Sequence, residues 1–142
     1  MSAVKLVAVF AENKPGQTAR ITKILAGAGV NIRWVTIANS GPFGVMKFLV
    51  DRYDAAHQAL KQQGLMASCL EVLALEAQDK PGTLQAVADC LARQNINLDN
   101  TSGFVANNRA ILIIEVHELA KARAAMQQDG FRILTQEEML NL

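Results

Sequence analysis

Neither sign of charge dominates this chain. Fourteen Lys and Arg stand against thirteen Asp and Glu, leaving +1 at pH 7, so the electrostatic footprint that nucleic acid or an anionic membrane demands is missing. No nucleic-acid partner and no membrane partner is expected. Cysteine is scarce as well: Cys69 and Cys90 lie 21 residues apart, with no CxxC and no histidine beside them. That spacing excludes a disulfide framework and a metal cluster, and a reducing, cytoplasmic setting is expected. Long apolar runs are missing too. The stretch from Leu6 to Ala11 is too short for a signal sequence, and the strongest run, Ala110 to Ile114, is the length of a strand. With only nine Gly and three Pro but 51% hydrophobic residues among 142, the chain has ample material for a packed core and none of the marks of disorder.

What is present is a repeat. Shifting the sequence by 66 positions lays Asn13-Lys-Pro-Gly16 on Asp79-Lys-Pro-Gly82 and continues through Leu25/Leu91, Ala26/Ala92 and Asn31/Asn97. The register returns without a gap at Ala56/Ala122, Ala59/Ala125, Gln62/Gln128 and Gly64/Gly130. The chain therefore reads as two copies of one plan, 1–69 and 70–142. A unit of about 66 residues is marginal alone, so the copies are expected to share an interface or a sheet.

Each copy reads as βαββαβ. Val4 to Phe10 is rich in β-formers. Ile21, Ile24, Leu25 and Ala28 then follow helical spacing up to Gly29, matched by Leu84, Val87, Ala88 and Leu91. Two strands flank a loop at Asn39–Gly44, or an Asn107-Asn108 turn in the second copy. A second helix, near Asp54–Gln63 or Leu119–Asp129, and a short strand close each copy. The expected fold class is α+β: two ferredoxin-like domains side by side in a continuous antiparallel eight-stranded sheet, with helices on one face.

The turn before each first helix carries the sharpest chemistry. Asn13 or Asp79 can serve as N-cap, and Pro15 or Pro81 suits the first turn. Free N–H groups at Gly16 and Gln17, or Gly82 and Thr83, would offer a positive helix end to a carboxylate. Asn31 and Asn97, just past the helix ends, each present an amide that donates and accepts. Capping alone and ligand binding both fit this pattern. No catalytic constellation accompanies it: His57 and His117 read as solvated, Cys90 as a core residue, and Trp34 and Phe43 as packing. Neither a metal nor another cofactor is expected, and the chain is not expected to be an enzyme.

Copy one, VAVFAENKPGQTARITKILAGAGVNIRWVTIA, and copy two, LALEAQDKPGTLQAVADCLARQNINLDNTS, resemble ACT domains, the small-molecule-sensing modules of amino-acid metabolism. The resemblance covers essentially the whole chain and implies a tandem pair without a catalytic domain attached. It implies an amino acid held between modules, with the turn at Asn13–Gly16 or Asp79–Gly82 as one wall and Asn97 or Asn31 of the neighbouring module as the other. Serine-sensing members carry a histidine two residues before the turn. Ala11 and Ala77 stand there here, pointing to apolar or aromatic ligands.

The function this implies is a regulatory protein that binds a free amino acid and acts through a partner such as a metabolic enzyme, or through its own oligomer; the alternative is a ligand-free adaptor contacting such an enzyme. A homodimer is also expected, through a stripe of Ile111 and Ile113 exposed on the sheet face away from the helices.

Overall fold

A computed structural model describes residues 3–142. The order is β1 (Val4–Glu12), α1 (Gln17–Gly27), β2 (Ile32–Ser40), β3 (Phe43–Val50), α2 (Tyr53–Gln62), β4 (Met66–Gln78), α3 (Thr83–Arg93), β5 (Asn100–Ala106), β6 (Arg109–Glu115), α4 (Leu119–Gln128), β7 (Arg132–Leu134) and α5 (Gln136–Leu140). The chain divides into a first module, Lys5–Leu70, and a second, Glu71–Leu142 together with Ala3 and Val4. Seven strands are described where eight were expected. The last strand of copy one and the first of copy two are the single strand β4, because Met66–Gln78 holds no Gly, Pro, Asn or Asp to turn the chain.

In the first module β3 pairs antiparallel with both β1 and β2. Helices α1 and α2 cover one face, where Ile21, Leu25, Ala56 and Leu60 meet Val7, Val9, Met46 and Phe48. Cross-strand register explains the strand face: Val7 lies opposite Phe48 and Val9 opposite Met46, so alternation sends all four to the helices. The β2–β3 connection is tighter than expected, with Gly41 and Pro42 alone between the strands.

The second module repeats this with β6 between β4 and β5, and β7 on the other side of β4. Its helix-facing core joins Leu73, Leu75 and Ile114 to Val87, Cys90, Leu91, Ala122 and Met126. Cys90 is thus a core residue, as expected. Leu84 and Ala88 are not: both are exposed, Leu84 at 52% in the first turn of α3, and Val87, Cys90 and Leu91 make the buried stripe. The Asn107-Asn108 turn has positive φ at both residues, as a two-residue hairpin of this hand requires.

All four long helices end alike. In α1 the Gly29 N–H bonds to the Ala26 carbonyl at 3.0 Å and the Val30 N–H to the Leu25 carbonyl at 3.1 Å; in α3 Asn95 and Ile96 do the same to Ala92 and Leu91. These paired bonds satisfy the last carbonyls and turn the chain so that Val30 and Ile96 are buried. Asn31 and Asn97 follow directly and are exposed.

The expected apolar stripe on the opposite sheet face is overturned. Ile111 is 0% and Ile113 1% exposed, and both are buried within the chain. Across that face Ile113, Ala74 and Leu134 stand in one cross-strand row over β6, β4 and β7, and Leu134 and, from α5, Met139 are buried as well. An interface through Ile113 therefore has no exposed surface to use.

Candidate functional site

The Lys-Pro-Gly segments form β-turns rather than helix caps. Gly16 (φ 86°, ψ −11°) and Gly82 (φ 91°, ψ −6°) are left-handed N-cap residues with no side-chain cap bond. Pro at the second turn position and Gly with positive φ at the third define a type II turn. Its closing bonds run from the Gln17 N–H to the Lys14 carbonyl, 3.2 Å, and from the Thr83 N–H to the Lys80 carbonyl, 3.4 Å. The expected free N–H groups at Gln17 and Thr83 are therefore spent on the turn. The Gln17 residue is buried besides, at 8% exposure. The first helical bonds, Arg20 N–H to Gly16 O and Ala86 N–H to Gly82 O, leave the N–H groups one and two residues further in, at Thr18 and Ala19 or Leu84 and Gln85, as the orphan donors of each helix.

Neither Asn13 nor Asp79 caps a helix, because three turn residues separate each from the helix start. Asn13 instead holds the β2–β3 turn: its N–H bonds to the Pro42 carbonyl at 2.8 Å and its Nδ2 to the Gly41 carbonyl at 3.0 Å. Asp79, a carboxylate, has no proton to donate in that way. It lines a groove of about 910 Å³ that runs from Ala77 through Lys80, Pro81, Gly82 and Thr83 to Ala86, with Asn108 and Arg109 of the β5–β6 hairpin and Asp129–Arg132 forming the rest of its wall. The Thr83 hydroxyl donates to the Gln78 carbonyl at 2.6 Å and fixes the turn against β4.

One edge of the groove is an ionic cluster that lies outside the repeated motifs. Glu76, its side chain 14% exposed, accepts from Arg109 and, at 2.8 Å, from Arg132. Arg132 also reaches Glu138. Glu138 is held in a capping box, accepting from the Thr135 N–H at 3.0 Å while its own N–H donates to the Thr135 hydroxyl at 3.1 Å. The Thr135 N–H first, and then Arg132 and the Thr135 hydroxyl, hold the Glu138 carboxyl below its ordinary range, and Glu76 and Glu138 hold the Arg132 guanidinium above its own. The signal was in the repeat, at the places where the copies differ. Glu76, Arg109 and Arg132 correspond to Phe10, Phe43 and Met66, which are 57%, 61% and 73% exposed. Phe43 is thus a surface residue rather than packing.

The remaining candidates lie elsewhere. Asn31 exchanges bonds with Asp51, its N–H to Oδ1 at 2.9 Å and its carbonyl accepting from the Asp51 N–H at 3.2 Å. Asn97 Nδ2 donates to Asp99 Oδ1 at 3.1 Å. In its own module Asn97 follows the C-terminal end of the eleven-residue helix α3, about 16 Å from the turn at the other end. His117 is paired with Asp99 and otherwise solvated. His57 is half-buried and stacks on Tyr53, with ring centroids 5.8 Å apart. Among the described residues no group of three His, Cys, Asp or Glu is arranged to hold a metal, and no helix is long and apolar enough to cross a membrane.

Two copies of one βαββαβ plan, each opening its first helix with a Lys-Pro-Gly turn, match the family model for an ACT domain pair over residues 1–142. The chain belongs to the ACT domain pair family. Among solved structures it is similar to protein BT0572 from Bacteroides thetaiotaomicron, with 24% identity over 99% of this chain and 98% of that one and a TM-score of 0.91. The regulatory subunit of aspartate kinase from Thermus thermophilus is 17% identical over 90% of this chain and 93% of that one, TM-score 0.61. The corresponding subunit from Thermus flavus is 15% identical over the same shares, TM-score 0.60. These likenesses establish a shared ACT fold. No curated protein sequence matches the chain.

Proposed function

We propose that this ACT pair is a non-catalytic regulatory module that binds a free amino acid in the groove at the Asp79–Thr83 turn and acts through a partner or through its own assembly. The observation that carries the reading is the gathering of both signs of charge around one groove, Asp79 and Asp129 with Arg109 and Arg132. A zwitterion needs both signs, and Asp79 suits its ammonium while the orphan N–H groups of α3 suit its carboxylate. The ionic cluster along the edge favours a polar side chain over the apolar ligands that Ala11 and Ala77 suggest. The Asn13 turn, whose side-chain amide is already bound to Gly41, is the structural member of the pair.

A thermal-shift screen of all twenty amino acids tests the reading. At a hundred times its Kd a ligand adds about 2.7 kcal/mol to stability, and Asp79→Asn should remove most of that gain without unfolding the chain. Flat melting temperatures with every amino acid at millimolar concentration would favour an adaptor that contacts its enzyme without a ligand.

A further inference from the structure

The net charge of +1 conceals two opposite halves. Residues Lys5–Leu70 carry eight basic and three acidic side chains, a balance of +5, whereas Glu71–Leu142 carry six basic and ten acidic, a balance of −4. The reversal falls at equivalent positions of the repeat: Lys23 on α1 matches Asp89 on α3, and Arg52 before α2 matches Glu118 before α4. Lys23 and Asp89 are both exposed, and among the described residues neither takes part in an ion pair.

The helix layers differ in the same sense. In the second module Arg93 and Asp129 form an ion pair that bridges the end of α3 to the end of α4. The first module has Gly27 and Gln63 at those positions; there Arg20 donates to the Gln63 carbonyl at 3.2 Å, beside a groove of about 530 Å³ between α1 and α2. Ile24, Ala28 and Ala59 line it, with Arg20 and Lys23 along its edge. The outer face of α3 has the complementary character. Leu84, Ala88 and Ala92 recur every four residues and are all exposed, Leu84 at 52%, with Asp89 beside them.

We propose that a second copy of this chain fills the groove. The α3 face of one copy, Leu84, Ala88 and Ala92, seats between α1 and α2 of the next, with Asp89 against Lys23. Groove and helix face are different surfaces of the chain, so the contact is heterologous and joins copies head to tail. Like modules repel, which fixes the pairing as first against second. The proposal does not depend on the amino-acid site.

Sedimentation at low ionic strength and in about 1 M salt, where the Debye length falls to about 3 Å, tests it on the full chain. The wild type should self-associate in the first condition, as a dimer or a larger assembly, and dissociate substantially in the second. Lys23→Glu and Asp89→Lys should each weaken association about tenfold or more, and the double variant should restore it. Leu84→Lys, at an exposed position, should weaken it while leaving the circular dichroism unchanged. A chain that stays monomeric at low ionic strength overturns the proposal and leaves the groove to an acidic partner. An assembly indifferent to salt and to both single variants, or a double variant that does not recover, overturns it equally.

Discussion

The side-chain amide of Asn13 donates to the carbonyl of Gly41 at 3.0 Å, across 28 residues of chain, and ties the first turn of the first module to its β2–β3 hairpin. At the repeat-equivalent place Asp79 lines an open groove instead. The Asn-to-Asp difference between copies thus removes the side-chain donor that ties turn to hairpin.

Asn13→Ala should therefore cost stability rather than binding. The net worth of such a hydrogen bond is about 0.5–1.5 kcal/mol. Urea denaturation should show a loss in that range, and calorimetric titration with whichever amino acid raises the melting temperature should show an unchanged Kd. A marked loss of affinity would move the binding site to the first module.

Gly82→Ala isolates the backbone requirement of the type II turn. A Cβ at Gly82 meets nothing within 4 Å, yet its φ is +91°. Any cost comes from the left-handed conformation alone, about 1–2 kcal/mol. Gly16, at φ +86° with equally open surroundings, should give the same value in the same equilibrium experiment. Unequal losses would show that one turn is held by contacts the other lacks.

Acid should weaken the ionic cluster through Glu138. Its carboxyl is held below the ordinary range by the Thr135 N–H and by Arg132. A group depressed in the folded state contributes stability that is present above its unfolded pKa of about 4.3 and is lost as pH falls through the folded value. Unfolding curves from pH 6 downward should show the wild type losing its advantage over Glu138→Gln below about pH 4.3. A constant difference across that range would exclude the linkage.

The two thiols should separate cleanly. Cys69 is exposed and Cys90 buried, and burial, followed by the neighbouring Asp129, pushes the Cys90 thiol up to about 11. At pH 8 a thiol-disulfide reagent should modify Cys69 rapidly in the native protein and Cys90 only after denaturation. Two fast-reacting equivalents under native conditions would show that α3 opens locally.

Ile113→Lys, which an exposed stripe would tolerate, should instead unfold or severely destabilise the chain, because Ile113 is 1% exposed and an unpaired buried ammonium is costly. Loss of the cooperative melting transition is the expected readout, and a folded variant would mean that this face can open.

The sequence by itself determined the repeat, the order of helices and strands, the helix stops at Gly29, Gly64 and Gly130, and the position of the Lys-Pro-Gly turns. Those features rest on local spacing and on residues whose backbone preferences hold wherever they stand. Tertiary structure decided the rest. That Asn13 holds a hairpin depends on Gly41, 28 residues away. Leu84 and Ala88, at helical spacing with Val87 and Leu91, stand on the surface because of how α3 lies on its sheet. Ile111 and Ile113 are buried on a face whose covering alternation cannot reveal, since period two says only that a side chain points away from its neighbour. Glu76, Arg109 and Arg132 gather from three strands into one cluster, and only cross-strand register brings together charges that sequence keeps 23 to 56 positions apart.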